Sequence, residues 1–320
     1  MKIASTQLKS MLFWIRKIYN IKISKIKIPW KHKENNLINP TQSPLTIEDT
    51  HLNKKFLDLQ SIISEMKSVV VAFSGGIDST LVAKTAVSIL GYNNTIAVTA
   101  DSSSMSRDEL TEAKELAKSL KLNHKIVFTN EFSDDNYLEN TPNRCFLCKE
   151  ELYSHLKTIA TNSDIKHIVN GHNLDDTNDF RPGMKSAENR GIRSPLIEAS
   201  LSKEEIRKIS KEIQLPNWNK PAQACLSSRI PYGEKISTQQ LEKIESGEKF
   251  LKTLGLGALR IRSHGNLARI EVSENQINHM IEKNTKKKIL NFLHSLGYVY
   301  VTIDLEGFRS GSLNEVFKKL

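Results

Sequence analysis

Apolar and polar residues follow strand and helix periods in alternation from about residue 48 onward. Apolar residues at helical spacing between Leu52 and Met66 predict a helix before the first strand. Short apolar runs, several rich in β-branched residues, predict four strands, at 69–73, 95–99, 124–128 and 165–169. Because helical segments separate these strands, we predict an α/β fold with a parallel sheet and right-handed crossovers.

Two helix starts match the capping box, in which Ser is followed by Glu three residues later. Ser106 with Glu109 predicts the helix between the second and third strands. Ser202 with Glu205 predicts a helix after the fourth strand. Both helices therefore belong to the alternating part of the chain.

The pattern changes after about residue 235. Beyond it we predict a helix, two short strands, a lysine-rich helix and a final strand, over 239–254, 259–262, 268–272, 273–296 and 298–303. We therefore predict three parts. Residues 1–47 form a basic N-terminal extension and linker that is poorly ordered, residues 48–235 an α/β domain, and residues 236–320 a small α+β domain.

The composition is that of a soluble globular protein, with 38% hydrophobic and 26% charged residues. No apolar run approaches the ~18 residues of a membrane helix, so we expect no stable membrane insertion. The chain has three cysteines, and an odd number in a long chain argues against a disulfide framework. We therefore expect a reducing, cytoplasmic location.

The net charge of +10 is concentrated at the N-terminus. Residues 1–33 contain nine Lys or Arg and no acidic residue, which leaves a net charge of +1 for the rest of the chain. The nearly neutral body gives little reason to expect a nucleic-acid partner. We favour a poorly ordered extension or an upstream start for residues 1–33, while an organellar address and a membrane-surface helix stay open.

The first strand runs directly into a glycine turn and a helix. Glycines let a backbone approach a ligand closely, and the N–H groups and dipole of a helix N-terminus attract anions. A carboxylate beside phosphates is a typical Mg²⁺ ligand, which makes Asp78 a candidate. The alternative is a turn that merely lets a strand enter a helix. The candidate phosphate-binding residues are Ser74, Gly75, Gly76, Asp78 and Ser79.

Three cysteines form a second group of candidate functional residues. Cys145 and Cys148 make a Cys-x-x-Cys pair, which we place in a loop that opens a helix, and Cys225 lies far along the chain. Such a pair is more often a metal or redox site than a packing feature, whereas Cys225 taken alone is as often a buried small side chain. Structural zinc requires a fourth ligand such as His172. Three thiolates on an iron–sulfur cluster leave one iron open for chemistry.

The six residues 74–79 resemble the PP-loop of the ATP pyrophosphatases, which cleave ATP to AMP and pyrophosphate. From about residue 48 to the C-terminus, the chain resembles the ATP-dependent sacrificial sulfur transferase family (LarE), which acts in biosynthesis of the nickel-pincer nucleotide cofactor. The family's usual Gly-Thr-Asn is Gly171-His172-Asn173 here. The segments that carry the resemblance besides the PP-loop are 143–151, 170–176, 179–183, 193–196 and 218–233.

The resemblance implies an adenylating PP-loop domain that binds ATP and Mg²⁺. A carboxylate of a pyridinium dicarboxylate mononucleotide is adenylated with release of pyrophosphate, and sulfur then displaces AMP to give a thiocarboxylate. In many members the cysteine that matches Cys225 gives up its sulfur and becomes dehydroalanine. Members with the Cys-x-x-Cys are thought to hold a [4Fe-4S] cluster on all three thiols, and we favour this type because Cys145, Cys148 and Cys225 are all present.

Several polar residues acquire roles through the same resemblance. Arg260 and Arg262 share one face of a strand and match phosphate-contacting arginines, with a solvated strand face as the alternative. We expect a homo-oligomer whose small α+β part serves substrate binding or oligomerisation, and a sulfur donor that is not identified. Candidates for adenylate, substrate, metal or sulfur-site contacts are Arg181, Arg229, Asp175, Asp176 and Glu248.

Other functions remain open at this stage. A PP-loop tRNA thiolation enzyme shares ATP activation, yet it needs a basic RNA face that the nearly neutral body does not provide. An ammonia-using ligase of the NAD or GMP synthetase type leaves the three cysteines unexplained. A nucleotide-binding module without enzymatic activity differs from all of these in releasing no pyrophosphate.

Overall fold

A computed structural model describes residues 49–178, 182–309 and 311–317 of the chain. Two sequence-based expectations fall outside these residues, namely the order of the basic extension over 1–47 and the position of Arg181. The described residues belong to one compact unit.

Helices and strands alternate in the first part of the described chain, as the sequence predicts. The helices are α1 (Thr50–Met66), α2 (Ile77–Leu90), α3 (Arg107–Ser119), α4 (Asp135–Leu138), α5 (Arg144–Asn162), α6 (Pro182–Asn189), α7 (Pro195–Glu198), α8 (Lys203–Glu212), α9 (Thr238–Thr253), α10 (Glu274–Ile281) and α11 (Lys283–Ser295). The strands are β1 (Val69–Ala72), β2 (Thr95–Asp101), β3 (Asn123–Phe128), β4 (His167–Val169), β5 (Leu259–His264), β6 (Leu267–Val272) and β7 (Tyr300–Ile303).

The first sheet is parallel throughout, in the order β3-β2-β1-β4. Val69 and Val71 of the central strand pack into a core with α1, α2 and α8, whereas Val70 packs against α5 on the opposite face. A sheet that is covered by helices on both faces needs strands that are apolar on both sides, which explains the continuous valine run. The predicted α/β fold is confirmed.

The second sheet is small and mixed. β5 and β6 form an antiparallel hairpin, and β7 pairs in parallel with β6. Ile261 of this sheet shares a core with Leu251 of α9 and Leu293 of α11. The sequence predicts these elements correctly, while the division of the chain at residue 236 stays a prediction.

The lysine-rich stretch predicted as one helix is two helices, α10 and α11. Glu282 separates them with an extended backbone, at φ −53° and ψ 136°. A residue with that ψ cannot continue the i→i−4 hydrogen-bond ladder, so the helix axis changes direction there.

The two predicted capping boxes differ in outcome. Ser202 and Glu205 form both reciprocal hydrogen bonds at the start of α8, as predicted. Ser106 is the N-cap of α3, yet its side chain makes no capping hydrogen bond with the described residues, so that box is a wrong prediction. The N–H of Arg107 donates instead to Glu245 of α9 at 2.5 Å. A tertiary contact thus satisfies one of the N-terminal N–H groups of α3, although not one that the predicted box would have used.

None of the helices in the described residues is both long enough and apolar enough to cross a bilayer.

Candidate active site

The glycine turn between β1 and α2 has room for no side chain at its first glycine. Gly75 has φ +72°, and a Cβ there would lie 2.9 Å from the Cβ of Ala113. The loop after β4 also approaches closely, since a Cβ on Gly171 would lie 2.7 Å from the backbone N of Ser79. Two strands that are adjacent in the sheet therefore bring both loops together at their carboxyl ends, where parallel α/β sheets bind ligands.

The hydroxyl groups of the turn are linked to one another. Ser79 Oγ accepts from the N–H of Ser74 at 3.2 Å and donates to the carbonyl of Gly76 at 3.0 Å. Ser74 Oγ lies 3.1 Å from Ser79 Oγ. No side chain of the described residues caps α2 at Gly76, which leaves helix-terminal N–H groups available to an anion.

Asn217 holds the turn from the outside. Its Nδ2 donates to the carbonyl of Gly75 at 3.1 Å and to Thr80 Oγ1 at 3.0 Å, and the side chain is buried. The sequence analysis does not identify this residue, because an Asn after Pro216 carries no local signal for a partner 142 residues away.

The Asp78 carboxylate has two polar neighbours. Its carboxylate forms an ion pair with Lys203 at the start of α8, and its Oδ1 accepts from Asn173 Nδ2 at 3.4 Å. Asp176 is buried and accepts from the backbone N–H of Asn173 at 3.1 Å. Asp175 accepts from the backbone N–H of Lys203 at 2.8 Å. Asp176 thus accepts from its own loop, and Asp175 accepts from the first residue of α8, both near the candidate magnesium ligand.

The three cysteines are free thiols, each partly exposed. Cys145 and Cys148 lie in the first turns of α5 itself and not in a preceding loop, and the i,i+3 spacing puts them on one face. Cys225 is the N-cap of the short 3₁₀ helix Leu226–Arg229. Burial raises the pKa of Cys148 to about 12, and burial together with the Cys225 thiol raises the pKa of Cys145. Cys148 also packs against the apolar cluster that contains Leu226, the residue after Cys225, so the Cys-x-x-Cys helix and the Cys225 loop lie in the same region.

Arg144 supplies a buried positive charge beside these thiols. Its Nη1 donates to the Asn140 side chain and, at 3.0 Å, to the carbonyl of Ser227. Burial lowers the pKa of Arg144, but the combined effect of Cys225, Cys145, Tyr137 and Tyr232 raises it overall. The sequence analysis does not identify Arg144, since an arginine beside a Cys-x-x-Cys looks like an ordinary surface residue until the fold buries it.

Arg229 and Glu248 fasten the Cys225 loop to the second sheet. Their two-point ion pair has N–O distances of 2.9 and 3.0 Å, and both side chains are buried. Arg229 Nη1 also donates to the carbonyls of Ala224 and Cys225, at 2.6 and 2.9 Å. Glu248 Oε1 accepts from the N–H of Ile261 of β5 at 3.0 Å. The structure therefore places both predicted residues at the Cys225 loop, where Arg229 donates hydrogen bonds to the loop backbone.

Arg260 and Arg262 lie side by side but in different charge environments. Both are buried, so a solvated strand face is excluded. Arg262 forms a two-point ion pair with Glu271 at 2.9 and 2.8 Å. Arg260 pairs with no carboxylate among the described residues, and it stacks on the Phe308 ring at 4.9 Å. Burial and the charge of Arg229 lower the pKa of Arg260 to about 10, which is typical of a cation that lacks its counter-ion.

Comparison with known proteins relates this site to characterised chemistry. The family model described as NAD synthase matches residues 52–152, which contain the PP-loop. The pyridinium-3,5-bisthiocarboxylic acid mononucleotide synthase of Lactiplantibacillus plantarum is 39% identical over 268 residues, which are 84% of this chain and 96% of that protein. The chain belongs to the LarE family.

Two uncharacterised proteins are also similar over most of their length. One, from Synechocystis sp., is 42% identical over 268 residues, which are 84% of this chain and 100% of that protein. The other, from Methanocaldococcus jannaschii, is 32% identical over 262 residues, which are 80% of this chain and 98% of that protein. The resemblance drawn from the PP-loop and the five further segments is thereby confirmed.

The LarE-family site contains no group of three or more His, Cys, Asp or Glu at the spacing of a single metal ion, within the described part of the chain. This finding supports neither zinc on the three cysteines and His172 nor an iron–sulfur cluster on the three cysteines, and both stay predictions. His172 lies in the loop beside the glycine turn, where its backbone N–H donates to Asn170 Oδ1 at 3.0 Å.

Proposed function

We propose that this chain is an ATP-dependent sulfurtransferase of nickel-pincer nucleotide cofactor biosynthesis. A carboxylate oxygen of a pyridinium dicarboxylate mononucleotide attacks the α-phosphate of ATP, and pyrophosphate leaves. A sulfur nucleophile then attacks the carboxyl carbon of the adenylate, AMP leaves, and a thiocarboxylate remains. AMP is needed because a free carboxylate is a poor electrophile.

One segment carries this proposal, residues 217–229, because it touches all three parts of the site. At one end Asn217 donates to the carbonyl of Gly75 in the glycine turn. Beyond Cys225, the carbonyl of Ser227 accepts from Arg144, which precedes Cys145, at 3.0 Å. At the other end Ser228 accepts from Arg262 Nη1 at 2.7 Å. The reacting carbon and sulfur must approach to within ~3.5 Å, and this segment supports that approach.

The PP-loop domain uses ATP, and Mg²⁺ fits the residues around the turn. Mg²⁺ prefers oxygen ligands and binds proteins through one or two carboxylates together with substrate phosphates. Asp78 offers such a carboxylate on the first turn of α2, beside the phosphate-binding N–H groups. We assign Ser74, Gly75, Gly76 and Ser79 to the phosphates of ATP.

For the sulfur step we propose the three-thiol type, in which Cys145, Cys148 and Cys225 hold a [4Fe-4S] cluster. Three thiols are suitable ligands for such a cluster, and two contacts support the proposal: Cys148 packs against the apolar group that contains Leu226, next to Cys225, and Arg144 donates to the carbonyl of Ser227. Three protein thiolates leave one iron of a bound cluster open to a sulfur ligand, which is the chemistry that the cluster supplies. The competing proposal is that Cys225 itself gives up sulfur by breaking its Cβ–Sγ bond.

For substrate binding we propose Arg260 as the main phosphate contact. Unlike Arg229 and Arg262, it forms no ion pair with a described carboxylate, and a phosphate would supply that counter-charge. Arg262 has a structural role through its ion pair with Glu271. Arg229 has a structural role through its ion pair with Glu248 and its hydrogen bonds to the Cys225 loop. Arg181 and Asp176 remain candidates for adenylate or metal contacts.

The same proposal covers partners and location. The substrate is a small nucleotide, and we propose no nucleic-acid partner. We also propose a cytoplasmic location and a homo-oligomer, and a separate donor that provides the sulfur. We also keep the proposal that 48–235 is the adenylating domain and that 236–320 serves substrate binding or oligomerisation.

The deciding experiment combines pyrophosphate release with mass spectrometry after turnover, on anaerobically purified protein. We expect pyrophosphate only when ATP and the dicarboxylate mononucleotide are both present, about four irons per chain, and an intact Cys225. Cys225→Ser should still release pyrophosphate but form no thiocarboxylate. Dehydroalanine at position 225 would establish sacrificial chemistry, and zinc alone would exclude the cluster. Release stimulated by tRNA and not by the mononucleotide would overturn the proposed substrate.

A further inference from the structure

Lys203 reaches across the fold to the glycine turn. Its Nζ pairs with the carboxylate of Asp78, although the two residues are 125 positions apart. Both side chains keep some exposure, at 27% and 20%, so a ligand can reach the pair from solvent. Nothing in the sequence pattern or in the activity proposed above assigns a role to Lys203.

The backbone of Lys203 is fixed by hydrogen bonding and by the packing of its helix, whereas its side chain is positioned by the ion pair with Asp78. Lys203 is the first residue of α8, directly after the Ser202 capping box. Its N–H donates to Asp175 Oδ2 at 2.8 Å, and Ile206 of the same helix is fully buried against the core of the first sheet. An ammonium group on a flexible stem over a fixed backbone can change partners without moving the fold.

Asp78 cannot keep this partner when Mg²⁺ and ATP are bound. A carboxylate that coordinates Mg²⁺ gives its oxygen to the metal, and an ammonium group at the same oxygens would repel it. The phosphates that we assign to the turn at residues 74–79 would then be anions close to the Lys203 ammonium group. The β- and γ-phosphates carry most of that charge and leave together as pyrophosphate.

We propose that Lys203 is a nucleotide-binding residue that exchanges partners, from Asp78 in the free enzyme to the β- and γ-phosphates of ATP once Mg²⁺ takes Asp78. This inference rests on the proposed adenylating function. It assigns to α8 a direct part in recognising the triphosphate and the pyrophosphate product.

The test measures binding and not turnover, with α,β-methylene-ATP plus Mg²⁺ and, separately, AMP, by isothermal titration calorimetry. For Lys203→Met we expect the Kd of the triphosphate analogue to rise about 10- to 100-fold, as the loss of a charge-assisted contact predicts. The Kd of AMP, which lacks the β- and γ-phosphates, should change less than about twofold by the same argument. Lys203→Arg should restore most of the analogue affinity.

Lys208→Met is the matched control, because Lys208 lies on the same helix and forms an exposed pair with Glu204 at 2.7 Å. It should bind both ligands as the wild type does. Lys203→Gln is the second variant if Lys203→Met does not fold, with the same expectation. Unchanged analogue affinity in the Lys203 variants, or an equal loss for AMP, would overturn the assignment alone. A wild-type protein that binds no analogue would overturn the adenylating function together with it.

Discussion

Arg229 and Glu248 form a buried two-point ion pair that ties the Cys225 loop to helix α9 and strand β5. We expect Glu248→Gln to destabilise the protein by about 3 kcal/mol, since it leaves Arg229 buried without a counter-charge. Urea unfolding monitored by circular dichroism measures this loss. Lys249, which lies next to Glu248 on α9, forms an exposed ion pair with Asp108 of α3. Lys249→Met removes that pair and should change stability by less than about 0.5 kcal/mol. Equal effects of the two variants would show that burial of the Arg229 pair is unimportant.

Arg260 and Arg262 should respond differently to the same substitution. Arg262→Met leaves Glu271 buried and poorly paired, so we expect a loss of about 3 kcal/mol in unfolding free energy. Arg260→Met removes a cation without a carboxylate partner in the described residues, so stability should be kept while the substrate Kd rises about tenfold or more. Urea unfolding and mononucleotide binding of both variants make the comparison. Identical profiles for the two variants would contradict the assignment of Arg260 to phosphate.

Asp78→Asn tests the magnesium role of the turn. The amide keeps the size of the side chain but removes the negative charge that Mg²⁺ needs, so pyrophosphate release should fall at least about a hundredfold. Asp108→Asn, on the exposed side of α3, is the control and should release pyrophosphate normally. Normal release by the Asp78 variant would count decisively against a metal ligand at this position.

Asn217→Ala should weaken the glycine turn from outside the ligand site. Two hydrogen bonds to Gly75 and Thr80 are lost, at a cost of about 1–3 kcal/mol in unfolding free energy, and ATP affinity should fall with them. The control is Asn94→Ala, which removes one exposed hydrogen bond to the carbonyl of Leu90. Thermal unfolding and binding of α,β-methylene-ATP test both variants. If the Asn217 variant binds the analogue as the wild type does, the turn keeps its shape without this contact.

His124 makes stability depend on pH. Its Nε2 lies 2.8 Å from Thr99 Oγ1, and burial together with the charge of Lys114 lowers its pKa. The folded state therefore favours the neutral ring, and this stability is fully present above the unfolded pKa of about 6.5 and is lost as the pH falls through the lower folded pKa. His124→Gln should reduce the loss of unfolding free energy between about pH 7.5 and pH 5. The exposed His279→Gln should leave that loss unchanged.

The local elements were accessible from sequence because their signals are local. The valine run of β1, the glycine turn and the Ser202 capping box each depend on neighbouring residues, and all three appear as expected. The break at Glu282 was missed because no Pro or Gly marks it. The helix start at Ser106 was predicted correctly, but its side-chain capping bond is not formed.

The sequence by itself determined the α/β fold, the glycine turn between β1 and α2 and the family, since these reside in contiguous residues whose chemistry is fixed by type and order. Only the tertiary structure decided which charges are balanced. Arg260 and Arg262 are equivalent as an alternating pair in the sequence, yet burial beside Glu271 neutralises one and leaves the other available. Lys203 and Asn217 become part of the site for the same reason, because the folded chain brings residues more than 100 positions apart within hydrogen-bond distance.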